Sequence, residues 1–198
     1  MPLPEPRRAL LWTGVIALMT IPMVLAADSP LLAYRQAPYI AAGFGGIAAL
    51  VLMLVQPLLG ARILEGGIIW HRIVGTAILG ALAVHIGGLY LTSPQDTLDA
   101  LLLVSPTPFS VYGVGAMTAM LLTALLVTQR RRLGLRRWRR MHRVLGIVVL
   151  AGSIVHVLLI TGTMEFYTKV LMCICITLAG LYTLVLRPLR QATNRRKI

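Results

Sequence analysis

The stretch His71-Arg72-Ile73-Val74-Gly75-Thr76-Ala77-Ile78-Leu79-Gly80-Ala81-Leu82-Ala83-Val84-His85 has a counterpart later in the chain, His142-Arg143-Val144-Leu145-Gly146-Ile147-Val148-Val149-Leu150-Ala151-Gly152-Ser153-Ile154-Val155-His156. The two agree at six of fifteen positions, and the residues at their ends are all four histidines of the chain. Both lie inside runs apolar enough to cross a bilayer. A separation of 14 residues is about 21 Å of helix rise and returns a side chain to within about 40° of its starting face. Each stretch therefore reads as a helix carrying one histidine near each membrane surface, both on a common stripe.

Composition agrees with that setting. At 58% hydrophobic and 13% charged residues, with a mean hydropathy of +0.83, a soluble fold would have too little polar surface. The chain is expected to be an all-α membrane protein with six transmembrane helices at 9–27, 37–59, 67–92, 109–128, 141–162 and 166–186, each near the ~20 residues that cross hydrocarbon. Three parts are expected: 1–36, a transmembrane helix and first external loop; 37–186, the histidine-bearing transmembrane domain; and 187–198, a basic tail. Residues 7–28, two arginines and an apolar run ending Val24-Leu25-Ala26-Ala27-Asp28, have the outline of a signal peptide, but the run is long for one and is taken as a retained helix.

The net charge of +13 is concentrated in alternate loops. Arg7 and Arg8 precede span one and Arg62 follows span two; Arg130, Arg131, Arg132, Arg136, Arg137, Arg139 and Arg140 lie before span five; Arg187, Arg190, Arg195, Arg196 and Lys197 follow span six. The other loops hold Arg35 and Lys169 beside Asp28, Asp96, Asp99 and Glu165. This is the positive-inside bias: both termini and the arginine-rich loop are expected in the cytoplasm, and the protein in the inner membrane as a multi-pass protein. The basic run suits anionic lipid or an acidic docking partner, and nucleic acid is not expected.

With spans three and five both running outward, His71 and His142 share the inner level and His85 and His156 the outer one. A lone membrane histidine needs no more than an interhelical hydrogen bond; a matched set of four calls for more. The two levels are too far apart for a compact zinc, copper or di-iron site, and no carboxylate or thiolate adjoins a histidine. Two bis-histidine b-type haems fit, with His71, His85, His142 and His156 as iron ligands; no Cys-x-x-Cys-His is present for covalent attachment. Cys173 and Cys175, about 200° apart on a helix, read as small apolar fillers. Gly75 and Gly146 sit one turn after the inner histidines, where a missing Cβ admits either a flat macrocycle or a neighbouring helix. Arg72 and Arg143 reach either haem propionates or lipid headgroups. The external loop 93–108 is a lid, a docking surface or an interfacial linker.

This pattern resembles the ferric reductase-like transmembrane domain of the NADPH oxidase and ferric reductase superfamily, whose six-helix cytochrome has paired histidines on its third and fifth helices at similar spacing. The segment Arg131-Arg132-Leu133-Gly134-Leu135-Arg136-Arg137-Trp138-Arg139-Arg140-Met141-His142 is similar to that family's approach to helix five, especially in the haem subunit of the periplasmic methionine sulfoxide reductase system. The resemblance covers roughly 40–186 and implies that Trp138 and Arg139 border the inner haem. Family members commonly continue into a flavin and nicotinamide domain. This sequence has no G-x-G-x-x-G, so flavin is expected on a separate cytoplasmic flavin reductase, with ferric iron, oxygen or a periplasmic redox protein as acceptor. Such a conduit is either a reductase in its own right or an electron-transfer subunit. The alternatives are a quinol- or ascorbate-dependent cytochrome b and a histidine-using transporter or haem exporter.

Overall fold

The computed structural model describes residues 5–189, with side chains from residue 9. The tail from Arg190 onward, and the side chains of Arg7 and Arg8, lie outside the described residues. Among the described residues eight α-helices follow in order: α1 (Glu5–Ala27), α2 (Ala37–Gly60), α3 (Gly67–Thr92), α4 (Pro94–Leu101), α5 (Pro108–Thr128), α6 (Arg130–Leu133), α7 (Leu135–Leu159) and α8 (Phe166–Gly180), which continues through a π-helical turn, Leu181–Leu186; a 3-10 turn, Pro30–Leu32, lies between α1 and α2. Among the described residues there is no strand. Six helices are long and apolar enough to cross a membrane: α1, α2, α3, α5, α7 and the continuous Phe166–Leu189. The fold is thus all-α with six potential spans, as the hydropathy predicts.

Local chemistry sets the boundaries. Pro38, Pro94 and Pro108 occupy the first turns of α2, α4 and α5, where a missing N–H costs nothing because those donors have no intrahelical acceptor. Glu165 caps α8, accepting from the backbone N–H groups of Tyr167 and Thr168 at 2.8 Å each. Those two bonds hold its carboxyl below the ordinary glutamate range. Between α6 and α7 the chain turns at Gly134, with φ of +71°, a conformation glycine adopts without a Cβ penalty.

Two stretches expected as loops are helical. The arginine run is not a loop before a span starting at 141: α6 covers Arg130–Leu133 and α7 already begins at Leu135, because arginine has good helix propensity and nothing but Gly134 interrupts the run. Trp138 and His142 are therefore one turn apart on a single helix. The segment 93–108, expected as an external loop, contains α4, started by Pro94 with Asp96 in its first turn.

The architecture is two tight antiparallel hairpins in one bundle. α3 packs on α2 and α7 on α5 more extensively than any other helices pair, whereas α3 and α7 are not among the closely packed pairs. Small residues permit this. A Cβ on Gly88 of α3 would meet the Pro38 carbonyl and Ala42 of α2, and one on Gly152 of α7 would meet the Tyr112 carbonyl and Ala116 of α5. Membrane helices with no hydrophobic drive to associate gain attraction this way, through close backbone approach. The larger of two buried clusters joins the hairpins to α1 and α8, with Ile47, Leu50 and Leu54 of α2, Ile78 of α3, Val149 of α7, and Met172 and Ile176 of α8. At the arginine-bearing end, the Arg187 side chain donates to the Ala61 carbonyl beyond α2.

Ile78 is 1% exposed and Ile69 of the same helix 67% exposed. Ile78→Ala is expected to lower stability by about 2 kcal/mol or more through the cavity it leaves, and Ile69→Ala to stay within about 0.5 kcal/mol. Thermal unfolding of the two variants in detergent checks the difference.

Candidate metal and cofactor centre

Three of the four imidazoles are tied to a backbone carbonyl of the neighbouring helix. His85 Nδ1 lies 2.8 Å from the Ala42 carbonyl and His71 Nδ1 3.0 Å from that of Gln56, both on α2. His156 Nδ1 lies 2.8 Å from the Phe109 carbonyl on α5. A carbonyl only accepts, so Nδ1 carries the proton in each case and Nε2 keeps its lone pair free. That is the arrangement in which a histidine binds a metal while its second nitrogen fixes ring orientation.

Each tether depends on a glycine four residues after the accepting carbonyl. A Cβ on Gly46 would sit 3.0 Å from His85 Nδ1, one on Gly60 3.1 Å from His71 Nδ1, and one on Gly113 2.6 Å from His156 Nδ1. The carbonyl of residue i and the side chain of residue i+4 share one helix face, so a side chain there would stand between the ring and its acceptor. Ala42 with Gly46, Gln56 with Gly60, and Phe109 with Gly113 thus form three copies of one socket.

The rings meet in two pairs. His71 and His142 have centroids 6.0 Å apart with ring planes at 72°, and His85 and His156 are 6.4 Å apart at 82°. With metal–nitrogen bonds of about 2.0 Å and about 1.1 Å from ring nitrogen to ring centre, two imidazoles on opposite sides of one iron have centroids about 6.2 Å apart. The same separation suits edge-to-face packing, about 4.5–7 Å, and the tethers leave Nε2 of three rings free for a ligand. Among the described residues no three of His, Cys, Asp or Glu come together as a metal-binding group; each level offers a pair of histidines. The residues present fit a bis-histidine haem at each level.

The remaining predicted site residues divide. Arg72, Arg139 and Arg143 are exposed beside the His71/His142 level. Trp138 stacks on His142, with centroids 5.2 Å apart at 14°, and the Arg130 guanidinium lies 4.9 Å over the Trp138 ring. Gly75 faces α2, where a Cβ would come 2.9 Å from the Gln56 amide nitrogen; Gly146 faces Leu184 at 3.7 Å. Both glycines are thus turned to neighbouring chain. Gln56 Oε1, Trp138 Nε1 and His142 Nδ1 are buried without a hydrogen-bond partner, and all three belong to the His71/His142 level. An unpartnered buried polar atom costs about 1–3 kcal/mol, so this level suits an occupant with polar edges.

Sequence reasoning missed Gly46, Gly60, Gly113 and the carbonyls of Ala42, Gln56 and Phe109. A signal existed: Gly46 and Gly60 are 14 residues apart, the same interval as the histidines they face. Compared with protein families, curated proteins and solved structures, the chain matches none.

Gly113→Ala is expected to break the His156 tether and, should haem occupy the His85/His156 level, to lower haem content there. Gly115→Ala on the same helix, where a Cβ meets nothing within 4 Å, leaves it unchanged. Pyridine haemochrome assays of both variants make the comparison.

Proposed function

We propose that this chain is a transmembrane di-haem b electron conduit in the inner membrane, with the His71/His142 level at the cytoplasmic face and the His85/His156 level at the external face. The observation that carries this reading is the pair of level histidine couples at 6.0 and 6.4 Å, with Nδ1 anchored on carbonyls at three of the four rings. Bound haem supplies a one-electron ferric/ferrous couple, and two histidine ligands leave no open position, which favours electron transfer over oxygen binding.

The protein's own residues hold, space and insulate. The α2 and α5 sockets orient Nε2 of His71, His85 and His156. Ile78 and Val149, each seven residues from both histidines of its helix and nearly fully buried, fill the level between the pairs with aliphatic groups that exclude water and protons. Both termini and the Arg130–Arg140 segment are cytoplasmic by the positive-inside bias. Those arginines attract a separate flavin reductase, which takes a hydride from a reduced nicotinamide and passes electrons on singly. Arg72, Arg139 and Arg143 stand where propionates or lipid headgroups need cations. Electrons leave from the external level to ferric iron, oxygen or a periplasmic redox protein.

Purified protein is expected to contain about two low-spin haems per chain, since four ligands serve two irons. Loss of His71 or His142 removes one spectral component, and loss of His85 or His156 removes the other. Haem quantitation returning one haem or none, or His71 and His156 variants losing the same component, overturns the pairing.

Reduction by a flavin reductase and NADH in inside-out vesicles is expected to slow as salt rises, because attraction between surface charges is screened over about 8 Å at physiological ionic strength. Neutralising Arg131, Arg132, Arg136, Arg137 and Arg140, with Arg130 left over Trp138 and Arg139 left beside the histidine level, should slow reduction without removing haem. Unchanged rates make those arginines topology signals alone, and rapid reduction by quinol with no flavoprotein favours a quinol-oxidising cytochrome b.

A further inference from the structure

We infer that the four ligands are not equivalent: His142 has no carbonyl socket because Val127 occupies the place of the glycine, and the Trp138 ring orients this imidazole instead. The inference rests on the haem reading of the site and goes beyond it by assigning Val127 and Trp138 as positioning residues for one ligand.

The register of the hairpins carries the argument. Along α2 and α3, a step of 14 residues forward from Gly46 to Gly60 matches a step of 14 back from His85 to His71, as antiparallel packing requires. The same steps along α5 and α7 lead from Gly113 to Val127 and from His156 to His142. The fourth socket would therefore consist of the Thr123 carbonyl with residue 127. Residue 127 is valine, 46% exposed, so by this register a Cβ takes the position that is bare at the other three. His142 Nδ1 is buried and without a partner, as a missing socket requires. The ring is instead parallel to Trp138, one turn earlier on α7, at 14° and 5.2 Å. Arg130 of α6 covers the indole from outside. One ligand is thus steered through an indole and a guanidinium by the arginine-rich surface, while its three counterparts are steered by main chain.

An Nδ1–H bond to a carbonyl raises imidazole basicity and favours the higher oxidation state of a bound metal. Supplying the missing bond should therefore lower the midpoint potential of the inner centre alone. The experiment is spectroelectrochemical titration of purified holoprotein, with haem quantitation, for the unaltered chain, Val127→Gly, Val127→Ala and the Gly113→Val counterpart. Val127→Gly is expected to lower the inner midpoint and leave the outer one in place. Val127→Ala, which shortens the side chain but keeps Cβ, shifts neither. Gly113→Val, which closes the outer socket, raises the outer midpoint or removes that haem.

Trp138→Leu is expected to lose inner haem selectively, and combination with Val127→Gly to restore it. Should Val127→Gly fail to fold, the Gly113→Val and Trp138→Leu arms still decide. Two haems with no shift on Val127→Gly, or equal shifts for the glycine and alanine variants, overturns the inference while leaving the haem reading intact. Unaltered protein that binds no haem overturns the haem reading itself.

Discussion

The arrangement rests on a hydrogen bond made three times, from an imidazole Nδ1–H on one helix to a main-chain carbonyl on its hairpin partner. A histidine on a membrane helix has rotational freedom and two chemically similar nitrogens; a fixed acceptor removes both ambiguities at once. The carbonyl is already engaged in its own helix, so a ring reaches its second lone pair only where no side chain covers that face. Gly46, Gly60 and Gly113 meet that condition. The hairpins must then keep their antiparallel register over 14 residues, which the close contacts at Gly88 and Gly152 help to hold.

That constraint explains why the bundle is organised as hairpins rather than evenly packed helices. α2 is half buried along its span, while α3 and α7, the helices that carry the histidines, bury little of theirs. α2 and α5 act as the frames against which the ligand helices are set. The histidine pairs reach from α3 toward α7 across a separation that the helix backbones do not close. Ile78 and Val149 extend the bundle core to the level halfway between the pairs.

The two histidine levels differ in their surroundings. At the His85/His156 level both rings are tethered by main chain, and among the described residues no buried side-chain polar atom there lacks a partner. At the arginine-rich level Gln56, Trp138 and His142 each keep an unpartnered polar atom, and His142 is reached through Trp138 and Arg130. Main-chain tethers are stiff and independent of what docks outside. A stack ending in a surface arginine links a ligand to whatever approaches that surface, which under the proposed orientation is the electron donor.

The sequence by itself determined the helical class, the number of spans, and the assortment of the histidines into two levels. Hydropathy runs and a 14-residue repeat are local, periodic properties, and periodicity survives translation into helix geometry without knowledge of packing. Helix in the arginine run was missed because its charge masked ordinary helix propensity, and Gly75 and Gly146 were assigned faces that only neighbouring helices could decide. Tertiary structure decided the sockets. Whether a glycine faces a histidine depends on which helices pair and in what register, so Gly46, Gly60 and Gly113 cannot be told from packing glycines one at a time. Only with the partners in place does the 14-residue interval shared by α2 and α3 acquire a meaning, and only then does Val127 emerge as the departure from it.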